Sequence, residues 1–316
     1  MAKISVIIVT YNAMKWAERC FTSLRHSSVP VTCIVIDNGS TDGTQEYIKT
    51  QFPEVDFIQS PENAGFGKAN NMGIEKAYKQ ETEFFYLMNQ DAWIYPDSFQ
   101  QLLDVYHSHP DQNQIGIMSP MHLDGSEKKL DLHFENYLAK DLRNNRMLSD
   151  IYFDEAKPYY EISFVNAAHW WIPRKAIEKV GGFNPYFFHG AEDYEYIHRV
   201  SYFGLKIIVC SKSKVVHDTV QSFYKKEPKD KAEALKTARL SMQMQRETKY
   251  LDPNYDYNIK REKTALLSYL LKMGAKGNMS EARFYKDQYQ YFSKKFGEIE
   301  AARKISMTAP HPFLNL

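Results

Sequence analysis

Short apolar runs alternate with amphipathic stretches over the first 120 or so residues of the chain. Residues 4–9 form a continuous apolar run rich in β-branched side chains, and residues 33–36 form a second one. Between these runs, apolar side chains from Trp16 to Leu24 recur at helical spacing. The stretch therefore predicts strand, helix, strand, which is a parallel βαβ unit when both strands are buried.

The same alternation continues as far as residue 119. It predicts strands at residues 4–9, 33–36, 55–59, 84–88 and 115–119, and helices at residues 13–25, 42–49, 67–78 and 97–107. Alternation of this kind is typical of a doubly wound α/β sheet. The predicted fold class is therefore α/β, with a doubly wound sheet flanked by helices.

The regular pattern then stops. Residues 123–160 are polar, charged and weakly periodic, so we expect a long irregular excursion that is either a functional flap or a disordered loop. Periodic patterns reappear after this segment and predict helices at residues 174–180 and 192–203 and a strand at residues 206–209.

Beyond about residue 225 the composition changes to long polar helices. We expect an α/β domain at residues 1–225 and a helical region at residues 226–316. The last helix carries a heptad-like seam of Tyr285, Tyr289, Phe292, Phe296 and Ile299. We expect this seam to pack on the main domain, with a homodimer contact or a peripheral membrane contact as alternatives.

Composition excludes several classes of protein. Lys and Arg number 40 against 39 Asp and Glu, so no overall charge indicates a nucleic-acid binder. The three cysteines lack CxxC spacing, which favours a reducing compartment. The first apolar run is only as long as one strand, and no run approaches the roughly 20 residues that cross a bilayer. We expect a cytoplasmic protein, with association to the inner face of the membrane as an alternative.

In doubly wound sheets ligands bind beyond the carboxyl ends of the strands. Thr10, Tyr11 and Asn12 follow the first strand without a GxGxxG motif, which argues against a nicotinamide or flavin enzyme. Asp37 follows the second strand, where its carboxylate can accept hydrogen bonds from a base imide or a ribose. The alternative for Asp37 is turn chemistry.

Two later segments also offer ligand-binding groups. The glycine-rich residues 62–71 open a helix, and their backbone N–H groups, with Lys68, can bind a diphosphate. Asn89, Gln90 and Asp91 follow a central strand. A carboxylate in that position suits Mg²⁺ or Mn²⁺, although one Asp alone is not a metal site.

The segment HGAEDYEYIHR places Glu192, Glu195 and Arg199 on one face of a helix, so we expect an internal ion pair there. Asp193 lies off that face and near the helix start, which makes it a candidate general base. His217 is an isolated imidazole after the strand at residues 206–209, and such residues are more often structural than ligands.

Five segments, in this order, resemble glycosyltransferase family 2: SVIIVTYNA, VIDNGSTDGT, ENAGFGKANNMGI, YLMNQDAWIYPDSF and KVGGFNPYFFHGAEDYEYIHR. They span about the first 220 residues. The resemblance implies a GT-A fold, with a mixed, mainly parallel sheet flanked by helices and a C-terminal helical extension. It also implies a transferase that inverts the anomeric centre, with a nucleoside diphosphate sugar as donor and a saccharide or lipid-linked saccharide as acceptor.

The resemblance further implies roles for residues at matching positions. The donor pocket would contain Thr10, Tyr11, Asn12 and Asp37 at the base, and Asn63, Gly65 and Asn70 beside the ribose and diphosphate. Asp91 matches the last acid of the DxD motif that binds Mg²⁺ or Mn²⁺, and His217 matches a late histidine that completes the metal site. Asp193 matches the catalytic base of the ED motif.

Three departures from the family pattern are visible. Asn89 replaces the first acid of DxD, so Asp91 and the donor phosphates would hold the metal, with Asn89 and Gln90 beside the donor. Such Asn-x-Asp forms occur in the rhamnosyltransferase-like branch, which uses dTDP donors. Glu195 stands where Asp is usual. His169, Trp170 and Trp171 are unusually bulky, and with Glu192 they are expected to contact sugar, core packing being the alternative.

The expected function is inverting transfer from a UDP- or dTDP-linked sugar to an acceptor hydroxyl, in the synthesis of cell-surface polysaccharide or glycolipid. A sugar-phosphate nucleotidyltransferase is one alternative, but Thr10-Tyr11-Asn12 lacks the glycine- and basic-rich signature expected after the first strand. A non-catalytic nucleotide-sugar binding protein on the same fold is the other.

Overall fold

The structure is a computed structural model that describes residues 2–219, 230–308 and 310–316. It contains two compact units: Met1–Phe223 with Ala309–Leu316, and Tyr224–Thr308. The strands of the described residues all lie in the first unit and form one nine-stranded sheet.

The first unit is a mixed α/β domain. Its strands are β1 (Ile4–Thr10), β2 (Val31–Asp37), β3 (Asp56–Gln59), β4 (Phe84–Asn89), β5 (Ala92–Ile94), β6 (Ile115–Leu123), β7 (Tyr159–Ile162), β8 (His169–Pro173) and β9 (Lys206–His217). Its helices are α1 (Ala17–Arg25), α2 (Thr44–Gln51), α3 (Phe66–Lys79), α4 (Ser98–Ser108), α5 (Leu132–Asn144), α6 (Met147–Tyr152), α7 (Arg174–Val180) and α8 (Glu192–Tyr202).

The sheet has the order β3-β2-β1-β4-β8-β6-β9-β5, and β7 pairs with β9. The half from β3 to β4 is parallel, as the βαβ pattern predicts. In the other half β8 is antiparallel to both of its neighbours, and β5 and β7 are antiparallel to β9. The predicted mixed sheet is confirmed.

Helices cover both faces of this sheet. One core combines apolar side chains of α3, α5, α7 and α8 with one face of the strands. The second combines those of α1, α2 and α4 with the other face. Side chains alternate across a strand, so neighbouring residues of β8 lie in opposite cores. Trp170 packs in the first core and Trp171 in the second.

The expectation of an irregular excursion at residues 123–160 is wrong. Asp131 caps α5 by accepting a hydrogen bond from the Phe134 backbone N–H at 2.8 Å. Phe134, Leu138 and Leu142 then lie four residues apart and pack on the core. This single apolar stripe among charged residues is a helical signal, and α6 and β7 follow it before residue 163.

The second unit consists of helices α9 (Lys231–Leu251), α10 (Ile259–Ala275) and α11 (Met279–Ser306). The aromatic seam of α11 has a partner inside this unit. Phe292 and Phe296 pack on Tyr250 of α9. Their ring centroids lie 5.1 and 6.1 Å, respectively, from that of Tyr250. Tyr285 stacks on Tyr269 of α10. No helix among the described residues combines the length and apolar character needed to cross a membrane.

The expected ion pair on α8 is present between Glu195 and Arg199. Both side chains are fully buried, and their closest atoms are 3.0 Å apart. Arg199 also donates to the carbonyl oxygens of Val180 and Gly182. The pair therefore fastens α8 to the end of α7, and Glu195 has a structural role.

We predict that Glu195→Gln lowers the free energy of unfolding by about 3–5 kcal/mol, because it leaves the Arg199 charge buried without its partner. The half-buried pair between Arg174 and Glu178 has the same sequence spacing, keeps contact with solvent, and is the matched control. Glu178→Gln should cost less than about 1 kcal/mol. Chemical denaturation measures both variants, and equal denaturation midpoints would contradict the structural role of Glu195.

Candidate active site

Asp37 lies at the end of β2 and is fully buried. Its carboxylate accepts hydrogen bonds from the side chains of Thr10, Ser40, Gln45 and Gln59 and from the backbone N–H groups of Gly39 and Ser40, at 2.5–3.1 Å. These six donors exceed the roughly four lone-pair sites of a carboxylate. Within the described residues, the Asp37 carboxylate is thus saturated by donors from the loop that follows it and from β1, α2 and β3.

These hydrogen bonds also determine the charge of Asp37. Burial raises the pKa of its carboxyl group, but the bonds from Ser40, Thr10 and Gln59 outweigh burial and lower the pKa below its ordinary value. The charged form therefore fastens the loop at residues 38–45. A direct contact between Asp37 and a base stays a prediction, and it would require one of these donors to move.

The loop after β1 is tied to the loop after β2. The Asn12 backbone N–H donates to Ser40 Oγ at 2.9 Å, and Asn12 Oδ1 accepts from the Thr41 N–H at 2.8 Å. Gln90 fixes Tyr11 at two points, since Oε1 accepts from the Tyr11 N–H and Nε2 donates to the Tyr11 carbonyl. Asn12 and Gln90 are thus part of the framework that positions Tyr11.

The cavity beside Tyr11 has a volume of about 480 Å³, within the range of roughly 300–1,000 Å³ that is usual for small-ligand sites. Six of the predicted donor-site residues line it: Tyr11, Asn63, Gly65, Asn89, Gln90 and Asp91. Its other lining residues were not predicted: Val9, Asn38, Phe66, Phe188 and His189. Thr10, Asn12, Asp37 and Asn70 are not in its lining.

The segment around Gly65 shows why a glycine stands at this edge of the cavity. Gly65 has φ +79°, and a Cβ there would lie 2.2 Å from the Phe188 carbonyl oxygen. Asn38 holds the same segment, because its amide donates to the Gly65 carbonyl and accepts from the Ala64 N–H. Asn70 is buried and donates to the Phe66 carbonyl within α3, so its predicted place beside the ribose is not supported.

Asp91 and His217 are brought together by the pairing of β5 with β9. Ala92 lies opposite His217 in this pairing, and the Asp218 N–H donates to the Asp91 carbonyl at 2.8 Å. As a result, Asp91 Oδ1 lies 3.6 Å from His217 Nε2. Burial raises the pKa of Asp91, but His217 outweighs burial and lowers it below its ordinary value.

The Asp91–His217 pair can supply only some of the ligands that a divalent cation needs. Neighbouring ligand atoms on an octahedral Mg²⁺, each about 2.1 Å from the ion, lie about 3 Å apart, so the observed 3.6 Å between Asp91 Oδ1 and His217 Nε2 would have to shorten slightly when the ion is bound. Among the described residues no group of three or more His, Cys, Asp or Glu side chains could hold a metal ion. Mg²⁺ is commonly bound by one or two carboxylates plus substrate phosphates, so a diphosphate would have to supply the remaining ligands.

His169, Trp170 and Trp171 do not reach the cavity, which corrects the expectation that they contact sugar. All three are fully buried in β8. His169 Nε2 lies 3.1 Å from the Val216 carbonyl oxygen, to which it donates, and Nδ1 accepts from Tyr86 Oη at 2.7 Å. Burial lowers the pKa of His169 to about 3, so the ring is a neutral support for the strand that carries His217.

Asp193 lies in the first turn of α8, directly after the cavity residues Phe188 and His189. Burial and the neighbouring Glu192 charge raise the pKa of Asp193 to about 7. Glu192 does not pair with Arg199, since its Oε2 is buried and has no hydrogen-bond partner among the described residues. The prediction that Glu192 contacts a substrate hydroxyl therefore remains open.

Tyr137 of α5 lies within electrostatic range of Asp193 and of Asp131. Burial raises the pKa of Tyr137 to about 12, and Tyr194 and the charges of Asp193 and Asp131 add to the effect. Asp131 in turn lies 3.8 Å from His217. The helix α5, which comes from the segment predicted to be irregular, therefore contributes to the surroundings of both candidate groups.

Residues 5–181, more than half of the chain, match the family model described as Glycosyl transferase family 2. The chain belongs to this family. A putative glycosyltransferase, EpsH of Bacillus subtilis, is 30% identical over 32% of this chain and 29% of its own length. The N-acetylglucosaminyl-diphospho-decaprenol L-rhamnosyltransferase of Mycobacterium tuberculosis is 24% identical over 69% of this chain and 76% of its own length. The O-antigen chain rhamnosyltransferase WbaN of Salmonella anatum is 25% identical over 69% and 66%.

The chain matches less than a third of EpsH and only 16% of a teichoic acid poly(glycerol phosphate) polymerase of Staphylococcus epidermidis. Solved structures support the fold. S. aureus TarS with UDP has a TM-score of 0.52 at 14% identity, covering 92% of this chain and 91% of that chain. The mannosyltransferase PcManGT of Pyrobaculum calidifontis with GDP-Man and Mn²⁺ has a TM-score of 0.54 at 16% identity, covering 96% and 87%. The predicted GT-A fold is confirmed.

We predict that Asp37→Asn lowers the free energy of unfolding by about 2 kcal/mol or more, because hydrogen bonds to a charged group contribute about 1.5–3 kcal/mol each. Asp42→Asn, in the same loop, is the matched control and should have a smaller effect. Chemical denaturation and calorimetric titration of UDP and dTDP measure stability and nucleotide affinity. Wild-type stability together with lost nucleotide affinity would mean that the Asp37 carboxylate contacts the base directly.

Proposed function

We propose that the protein is an inverting glycosyltransferase, which moves a sugar from a UDP- or dTDP-linked donor to an acceptor hydroxyl. One observation carries the proposal. The cavity beside Tyr11 has Asp91, the partner of His217, in its lining. Phe188 and His189 also line it, and they lie a few residues before α8, whose first turn carries Asp193. These groups suit a diphosphate with its cation and an acceptor hydroxyl.

The proposed chemistry uses Asp193 as general base. Its pKa of about 7 allows it to be charged at neutral pH while remaining basic enough to take the proton of a hydroxyl. The acceptor oxygen then bonds to the anomeric carbon as the bond to the diphosphate breaks, and the proton ends on Asp193. One displacement inverts the stereochemistry and needs no covalent intermediate with the protein.

Asp91 and His217 would hold a divalent cation, Mg²⁺ or Mn²⁺. When bound, such a cation neutralises negative charge on the leaving diphosphate. Asn89 and Gln90 line the same cavity beside them. Tyr11, Asn63 and Gly65 border the space in which we place the nucleotide, and the framework of Thr10, Asn12 and Asp37 holds that border in position.

Two named rhamnosyltransferases that cover about two thirds of the chain support a deoxyhexosyl donor. The name of one describes a lipid-linked acceptor, N-acetylglucosaminyl-diphospho-decaprenol, and that of the other an O-antigen chain. By similarity, we propose a saccharide or lipid-linked saccharide acceptor, and a role in the synthesis of cell-surface polysaccharide on the cytoplasmic side of the membrane. A panel of UDP- and dTDP-linked sugars, assayed for released nucleoside diphosphate, tests the donor.

We predict that Asp193→Asn lowers the turnover number by roughly 10²- to 10⁴-fold, because it removes the base and keeps the shape of the side chain. Donor affinity should stay near that of the wild type, since proton transfer occurs only after the donor is bound. Steady-state kinetics and calorimetric titration measure the two effects. Glu178→Gln is the control, and near-normal turnover in Asp193→Asn would show that Asp193 is not the base.

The pKa of Asp193 predicts the pH dependence of the reaction. Below pH of about 7 the carboxyl group is protonated and cannot accept a proton, so kcat/KM should fall tenfold for each further unit of decrease. Glu192→Gln removes a charge that raises this pKa, so it should move the midpoint of the profile to lower pH. A midpoint that does not depend on Glu192 would assign the titration to another group.

We predict that turnover requires a divalent cation, because a diphosphate at the Asp91–His217 pair would otherwise lie against a carboxylate. Excess chelator should abolish activity, and added Mg²⁺ or Mn²⁺ should restore it. Asp91→Asn should weaken binding of Mn²⁺ in the presence of UDP or dTDP, measured by electron paramagnetic resonance. Unchanged activity in chelator would contradict the metal assignment.

A further inference from the structure

The first turn of α5 lies against the Asp91–His217 pair. Asp131, the N-cap of α5, is 1% exposed, and its Oδ2 lies 3.8 Å from His217 Nδ1. Phe134 stacks on the ring of His122, with centroids 4.2 Å apart. The His122 ring in turn meets the His217 ring edge-on, with centroids 6.4 Å apart. The environment of His217 is therefore built partly from α5.

The two ring nitrogens of His217 face different groups. Nε2 faces Asp91 and Asn89, at 3.6 and 3.4 Å. A cation bound between Asp91 and His217 would take the lone pair of Nε2, so the ring proton would then be carried by Nδ1. Nδ1 is the nitrogen that faces Asp131. It is buried and has no hydrogen bond within the described residues.

Capping α5 does not by itself call for a carboxylate at position 131. Oδ1 accepts from the Phe134 N–H, and asparagine or serine provides such a cap about as well. The second oxygen places negative charge beside the Nδ1–H of His217. In metal sites the histidine ligand commonly donates its second N–H to a carboxylate, which fixes the ring and raises its basicity.

We propose that Asp131 is a positioning residue of the metal site, which orients the His217 ring and holds the tautomer whose Nε2 faces Asp91. This inference rests on the proposed function, because it takes His217 as a metal ligand. Asp131 does not touch the cation or the donor and acts through His217. Hydrogen bonds at such sites are often long in the free protein and shorten when the ligand is bound, which is consistent with 3.8 Å.

Asp131→Asn tests the proposal, because it keeps the cap and removes the charge. Titration of the full-length protein with Mn²⁺ in the presence of UDP, and separately of dTDP, should show an affinity about 10- to 100-fold weaker than that of the wild type. In protein labelled with ¹⁵N-histidine, the electron spin-echo modulation from the histidine nitrogen on Mn²⁺ should be lost or reduced. The thermal unfolding midpoint should stay that of the wild type.

Two controls separate capping from positioning. Asp230→Asn makes the same exchange at the N-cap of α9, where the side chain accepts from the Glu233 N–H. Asp141→Asn changes another carboxylate of α5, ten residues and so about 15 Å along the helix from Asp131. Neither should alter Mn²⁺ affinity or the histidine signal. Asp131→Ser is a second neutral cap and should have the same effect as Asp131→Asn, so the test does not depend on the folding of a single variant.

The outcomes distinguish this inference from the proposed function. If His217→Ala weakens Mn²⁺ binding while Asp131→Asn and Asp131→Ser bind as the wild type does, the positioning role is overturned and the metal site stands. If both Asp131 variants lose thermal stability but keep the histidine signal, Asp131 is a cap alone and the proposal is overturned. If the wild type shows no histidine signal and His217→Ala binds Mn²⁺ normally, the metal assignment fails and the inference fails with it.

Discussion

The antiparallel pairing of β5 with β9 is the constraint on which the candidate site depends. β5 has only three residues, but it places Ala92 opposite His217, so that the side chains of Asp91 and His217 meet. The strand that carries His217 is held in turn by His169, which donates to the Val216 carbonyl and accepts from Tyr86. A buried, neutral hydrogen-bonded chain thus fixes one half of the Asp91–His217 pair, and this explains why His169 is useful although no substrate can reach it.

Much of the parallel half of the sheet, and the site residues at its strand ends, could be predicted from the sequence. Continuous apolar runs indicate strands that are buried on both faces, and the carboxyl ends of parallel strands share one edge. Tyr11 and Asp91 therefore had to lie near each other once β1 and β4 were recognised as strands, and both line the cavity. Asp37 was located correctly by the same reasoning, but its saturation by six donors depends on Gln45 and Gln59, which no motif connects to it.

The rest depends on contacts that periodicity does not encode. A three-residue strand is too short to show alternation, so β5 and its pairing with β9 could not be predicted. The side chains of β8 are apolar on both faces because helices cover both sides of the sheet, and sequence alone cannot tell such a strand from an aromatic binding surface. In α5 the stripe of Phe134, Leu138 and Leu142 is diluted by charged neighbours. The contribution of that helix to the surroundings of His217 was therefore also hidden.

Three carboxylates of the site differ in charge behaviour because their surroundings differ, although all three are removed from water to some extent. At Asp37 hydrogen-bond donors outweigh burial, and at Asp91 a neighbouring imidazole does so, so the pKa of each is lowered. Asp193 accepts a hydrogen bond from the Tyr194 N–H, but burial and the like charge of Glu192 outweigh its backbone donors and raise its pKa to about 7. Groups whose surroundings separate their pKa values in this way can divide acid, base and electrostatic roles between them. A carboxylate that must stay charged to hold a loop or a cation needs partners that outweigh burial, whereas one that must exchange a proton near neutral pH needs burial to outweigh its partners, as it does at the start of α8.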